Sequence, residues 1–463
     1  MAAMEWIATT RKRRVLAAYV SMLAAAAGLF FLIVHFGASL TPHAPAKLQA
    51  SGDAVATPAS PLFHVLLALA AVIVTARLLN VLFGRFRQPP VIGEMLAGIL
   101  LGPSLLGWIA PTVSTWLLPT SVAPFLGIVA NLGVILYMFL VGLELNTELL
   151  SDRAHTTVAI SHASIVTPFL LGAVLALGLY SRLAEGHVGF TTFALFLGVA
   201  MSITAFPVLA RILSDRQMSK STLGVVALSC AATDDVTAWC LLAMVVGVAK
   251  GEIGEALEVI AGALAYIGFI FVAVRPVTNW IVRRHDDHLT PGVTALAFVA
   301  VLLSALTTEW IGIHAIFGAF LLGVVIPHDS ALARDLTHKL EDPVTILLLP
   351  AFFAFTGMRT EIGLVSGLTS WLICGLVILV ATVGKFGGTL FAARLTGMGW
   401  RDGTALGILT NTRGLMELVV LNIGLDLGVI SPTLFAMMVL MAIVTTIATT
   451  PLVARLVPVV AEG

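Results

Sequence analysis

Residues 228–239 read Leu228-Ser-Cys-Ala-Ala-Thr-Asp-Asp-Val-Thr-Ala-Trp239, and two adjacent acids, Asp234 and Asp235, fall near the middle of an apolar run from about 220 to 249. A helix of that length covers the ~30 Å hydrocarbon core of a bilayer. A charge at the centre of a membrane helix costs about 2.5–3.5 kcal/mol on insertion scales, so packing alone does not account for two of them. Neighbouring residues point about 100° apart on a helix, so one acid can pair with a fixed cation while the other faces a cavity. The plainer reading is a structural salt bridge.

The rest of the chain has the same character. Of its 463 residues 59% are hydrophobic and 11% charged, against about 25% charged in soluble domains. Acids and bases balance at 25 each, which leaves no electrostatic footprint for nucleic acid. No block is polar enough for a separate soluble domain, so no soluble regulatory domain is expected in this chain. Cys230, Cys240 and Cys374 lie in apolar runs without metal-ligand spacing and read as buried thiols. No nucleophile–base pair or metal cluster suggests an enzyme, and no cofactor is expected.

Apolar runs between polar breaks give fourteen spans: 15–37, 61–83, 90–110, 124–145, 156–181, 188–212, 220–249, 254–274, 291–307, 310–326, 343–359, 369–393, 403–424 and 433–456. The expected fold is an all-α polytopic membrane protein. Lys and Arg favour cytoplasmic loops. With the N-terminus inside, most basic residues, among them Arg11–Arg14, Arg153, Arg283 and Arg284, fall inside, and only Lys47, Arg182, Lys250 and Arg359 fall outside. Both termini then face the cytoplasm if the first helix is retained. That helix reads as an extra span rather than a signal peptide, whose apolar core is usually shorter. Residues 41–60 form a linker rich in Ala, Pro and Ser, closing an N-terminal segment of residues 1–60. The other thirteen spans divide into six, one linker (254–274) and six. The second six therefore run with inverted topology, as in many secondary transporters.

Lys385, in Val383-Gly-Lys-Phe-Gly-Gly388, also lies deep in a span, and its natural partner is one of the two aspartates. Interruptions occur in the fifth span of each set. Ser202-Ile-Thr-Ala-Phe-Pro207 places a proline inside an apolar run, and Thr410-Asn-Thr-Arg-Gly414 places polar and flexible residues inside another. Pro207 alone could mean a simple bend. Two breaks in matching positions are stronger, because unwound backbone at membrane depth is tolerated only inside protein or along a water-filled cavity. Freed carbonyls and the oxygens of Thr204, Thr233 and Asn411 can ligate a dehydrated cation. Arg413 can offset negative helix ends or pair with an acid, and Glu417 meets it at i,i+4. Glu94 and Glu144 lie near helix ends and read as anchors or vestibule acids, and His314 reads as a packing residue.

These stretches resemble the monovalent cation:proton antiporter-2 family, the branch of the sodium/hydrogen exchanger superfamily that includes Kef-type and plant cation/proton exchangers. The resemblance rests on Gly93-Glu-Met-Leu-Ala-Gly-Ile-Leu-Leu-Gly-Pro-Ser-Leu-Leu-Gly107, Phe139-Leu-Val-Gly-Leu-Glu-Leu145, Ser202–Pro207, Asp234-Asp235, His314-Ala-Ile-Phe-Gly-Ala-Phe320, Phe352-Phe-Ala-Phe-Thr-Gly357 and Asn411-Thr-Arg-Gly-Leu-Met-Glu-Leu418, in the family's order over residues 61–456. It implies a homodimer in the lipid bilayer, each protomer having a dimerisation domain (61–145 and 291–359) and a moving core (156–249 and 369–456). It implies that Asp235 carries the transported Na+ or K+ and the proton, that Asp234 pairs with Lys385, and that Thr204 lies at the crossing of the broken helices. Leu415 stands where many relatives have a glutamate, which leaves the role of Glu417 open. A bacterial inner (plasma) membrane is the expected location. Proton and cation would compete for one carboxylate, and obligatory exchange follows if only loaded states cross. The alternative is a gated monovalent-cation channel using the same acids.

Overall fold

The computed structural model describes residues 2–40, 61–86, 88–144, 154–186, 188–219, 221–249, 253–284 and 290–457. Regular structure among them is entirely helical. The expected linker over 41–60 lies outside the described residues. Helices α1 (Ala2–Gly37), α2 (Pro61–Gly84), α3 (Pro90–Leu101), α4 (Leu106–Ile109), α5 (Pro111–Leu117), α6 (Ala123–Glu144), α7 (Ala154–Leu183), α8 (Phe190–Ser202), α9 (Phe206–Asp215) and α10 (Thr222–Ala249) form the first part of the chain. A connecting pair follows, α11 (Ile253–Phe269) and α12 (Arg275–Arg284), joined by a π-helical turn over Ile270–Val274. Then come α13 (Pro291–Ile311), α14 (Ala315–Val325), α15 (Ala331–Asp342), α16 (Leu349–Arg359), α17 (Gly367–Leu395), α18 (Trp400–Thr410), α19 (Leu415–Asp426) and α20 (Pro432–Leu456).

Among the described residues, twelve helical stretches are long and apolar enough to cross a membrane. With α14 and the interrupted α18–α19, they match the fourteen runs read in the sequence. Some boundaries moved. The break expected at Thr307–Trp310 lies at Gly312, whose φ of 96° is a left-handed helix cap that favours glycine. The connecting helix expected to end near 274 continues to Arg284. The span expected from 343 begins with α15 and passes through a π-helical turn at Pro343–Leu348, since proline removes one backbone donor from the ladder.

The contacts fall into two bodies. In one, α3 packs on α2 and α16, α6 packs on α14 and α16, and α13 packs on α14. In the other, α7 packs on α17 and α8, α17 on α18 and α20, and α10 on α7, α8 and α18. The pairing is reciprocal: the second helix of each six meets the third of the other, and the two fourth helices meet each other. Lipid-depth helices gain little from the hydrophobic effect, so close contact depends on small residues. A Cβ on Gly357 would lie 2.0 Å from the carbonyl oxygen of Gly98, and one on Gly388 would lie 2.6 Å from that of Ala163. Helix α1 lies on the second body, with Phe30 and Phe169 ring centroids 5.5 Å apart. Cys230 and Cys374 are buried as expected, but Cys240 is exposed on the outer face of α10.

Candidate functional site

Both interruptions are real and they meet. Between α8 and α9 the backbone is extended at Ile203 and Ala205. Pro207 sits in the first turn of α9, where its missing N–H would have had no partner, so it starts a half-helix rather than kinking one. Between α18 and α19 the chain unwinds over residues 411–414. The Ala205 amide donates to the carbonyl of Thr412 at 2.9 Å, and the Thr204 hydroxyl lies 3.0 Å from the carbonyl of Thr410. The Ala205 amide freed by one break is thus satisfied by the Thr412 carbonyl freed by the other, as membrane depth requires.

The C-terminal end of α8 carries the negative pole of that half-helix. Two cations from the opposite repeat meet it. Arg413 donates from its two terminal nitrogens to the carbonyls of Ala200 at 3.0 Å and Met201 at 2.7 Å, and Lys385 Nζ donates to the carbonyl of Ser202. Each cation also has an acid: Lys385 Nζ lies 2.9 Å from Asp234 Oδ2, and an Arg413 terminal nitrogen lies 2.8 Å from Glu417 Oε2. All four side chains are fully buried. Glu417 stands in the first turn of α19, where a carboxylate also meets the positive pole of the helix.

Asp234 is saturated. Besides Lys385, its Oδ2 accepts from Thr204 Oγ1 at 2.8 Å and Ser164 Oγ at 3.0 Å, and its Oδ1 accepts from Ser161 Oγ at 2.6 Å. Asp235 is the opposite case: it is 1% exposed, and neither carboxylate oxygen has a hydrogen-bond partner. A bare ionised carboxylate at such depth is strongly unfavourable, so it calls for a proton or a cation.

The structure brings Thr204, Asp234, Lys385, Arg413 and Glu417 into one buried network with the two breaks. Asn411 joins at the end of α18, 7% exposed, with Oδ1 unpartnered. Thr233 turns to its own helix, its hydroxyl donating to the carbonyl of Ser229 at 2.9 Å, which leaves only lone pairs for an ion. Sequence reasoning missed Ser161 and Ser164. Only part of their signal was available: two hydroxyl residues at i,i+3 share one helix face, but which helix that face meets is not local information. His314 is partly accessible and lines a cavity, rather than being packed away. Among the described residues no group of three or more His, Cys, Asp or Glu is arranged to hold a resident metal.

Comparison with known proteins agrees with this architecture. The family model described as the transmembrane sodium/hydrogen exchanger matches residues 68–457. The Na(+)/H(+) antiporter NhaS4 of Synechocystis sp. is 46% identical over 400 residues, covering 85% of this chain and 98% of that protein. Cation/H(+) antiporter 17 of Arabidopsis thaliana is 40% identical over 88% of this chain, and K(+)/H(+) antiporter 1 of Saccharomyces cerevisiae is 34% identical over 85%. The matches span 51% and 46% of those two proteins, so the chain corresponds to about half their length. Among solved structures, the sodium proton antiporter MjNhaP1 from Methanocaldococcus jannaschii shares the fold, with a TM-score of 0.65 at 13% identity over 87% of this chain and all of that one. By sequence match and by fold, the chain belongs to the transmembrane sodium/hydrogen exchanger family.

Proposed function

We propose that this antiporter exchanges its monovalent cation, Na+ or K+, for protons at Asp235, with Asp234 and Lys385 holding the site in shape. The observation that supports it is the contrast on α10: one acid satisfied by four side chains, its neighbour buried and unpartnered. A proton or an alkali ion satisfies Asp235, but not both together. The carbonyls and hydroxyls around the two breaks, with Thr204 and Asn411 foremost, would complete an oxygen cage for the ion. Competition makes a kinetic signature. A tenfold rise in proton concentration should raise the KM for the cation up to about tenfold, with maximal rate unchanged, when the protonated carboxylate dominates. The test is proteoliposomes loaded with a pH-reporting dye, pulsed with Na+, K+ and Li+ under clamped voltage. Cation currents far above carrier turnover and without proton movement would instead mean a channel.

The body containing residues 156–249 and 369–456 would move against the body containing 61–145 and 291–359, and the latter would form a homodimer. Support comes from close glycine contacts within each body, such as Gly98 with Gly357 and Gly388 with Ala163. The excess of Lys and Arg on one set of loops supports a topology in which both termini would face the cytoplasm, with a bacterial inner membrane as the proposed location. Crosslinks from single cysteines on the first body should trap a dimer.

A further inference from the structure

We propose that Trp239 is a plug that closes Asp235 off from an ion vestibule at the α13–α14 end of the molecule, and that opening this side requires the indole to move. The inference rests on Asp235 as the exchange site. A cavity of about 230 Å³, lined by Trp239, Glu309, His314, Ile423 and Asp426 among others, opens there between α10, α13, α14 and α19. Its α10 wall is the stripe Trp239, Leu242 and Val246. Asp235 continues that stripe one turn deeper, because residues at i, i+4, i+7 and i+11 share a helix face. Trp239 is therefore the side chain between the cavity and the unpartnered carboxylate.

Three further features suit the role. Trp239 is only 2% exposed, yet its Nε1–H has no hydrogen-bond partner. Buried tryptophans usually satisfy that donor, so this ring is held by packing alone. His314 Nδ1, on the same cavity, is likewise unpartnered. The cavity also carries two carboxylates suited to a hydrated alkali ion. Glu309 Oε2 accepts from the Ala315 amide at 2.9 Å, and Asp426 pairs with Arg359 of α16. Both acids retain oxygen lone pairs for the ion's water shell. The vestibule thus attracts the ion, and Trp239 decides whether it passes.

The test replaces Cys230, Cys240 and Cys374 with alanine and introduces His314→Cys or Asp235→Cys into the full chain in vesicles of known orientation. A membrane-impermeant cationic thiol reagent is added to one face at a time. The His314→Cys variant should react from one face with Trp239 in place, which identifies the vestibule side. The Asp235→Cys variant should react slowly from that face, become about tenfold faster with Trp239→Ala, and stay slow with Trp239→Phe. Trp239→Leu serves if the alanine variant does not fold. Labelling of Asp235→Cys at a rate unaffected by both small replacements, or His314→Cys reacting from neither face, overturns the plug. Labelling needs no transport. Coupled exchange surviving Asp235→Asn would refute the exchange site while leaving the labelling result to stand on its own.

Discussion

Asp234 and Asp235 share a helix, a depth and a charge, and differ in everything around them. Asp234 points into the interface of α10 with α7 and the broken helices, where Lys385, Thr204, Ser161 and Ser164 surround it. Asp235, about 100° further around α10, meets none of these donors. A carboxylate with every lone pair engaged is part of the scaffold, because exchanging it for a mobile ion would strip a buried lysine. One with no partner would be free to bind and release, as the proposed mechanism requires. Adjacent positions in a chain can thus divide labour between architecture and cargo when the helix directs one inward and the other toward a pathway.

The sharpest way to break this contrast is Asp235→Asn. It should lower cation-dependent proton movement by at least about a hundredfold without lowering unfolding stability in detergent, and should raise that stability at neutral and higher pH, since no native bond is lost and a buried unpaired carboxyl is removed. Full coupling in that variant would move the exchange site elsewhere. Asp234→Asn should do the reverse kind of damage. It leaves Lys385 buried beside a neutral amide, and the unfolding free energy should fall by about 3–5 kcal/mol. The double variant Asp234→Asn with Lys385→Met should recover part of that loss, because no uncompensated charge remains. A double variant worse than either single one would mean that the pair does more than neutralise itself. Smaller again, Thr204→Val should cost about 1–2 kcal/mol through the lost hydrogen bond to Asp234, readable as a lower thermal midpoint.

Much of this was legible in the sequence, for physical reasons. Crossing number follows from apolar run length, and breaks follow from polar and proline residues within runs. That Lys385 pairs with one of the two aspartates follows because opposite charges at membrane depth have few other options, whereas the choice of Asp234 was implied only by the family resemblance. What was not legible depends on relative placement of helices. Nothing local says that Ser161 and Ser164 face α10, or that Arg413 reaches past Glu417 to the carbonyls of Ala200 and Met201. Pro207 looked like an interruption and proved to be a beginning, because the break precedes it by two residues. Cys240 looked buried because an apolar run reads the same whether it faces protein or lipid.

The last three carbonyls of α8 are held by side chains from the other repeat, and the amide of Ala205 is sewn to Thr412. Prising the two breaks apart would strip four carbonyls and two cationic side chains of their partners at once. Such a crossing resists opening like a gate. On the proposed mechanism, the ion would cross with its coordinating cage intact, as a lift carries its car.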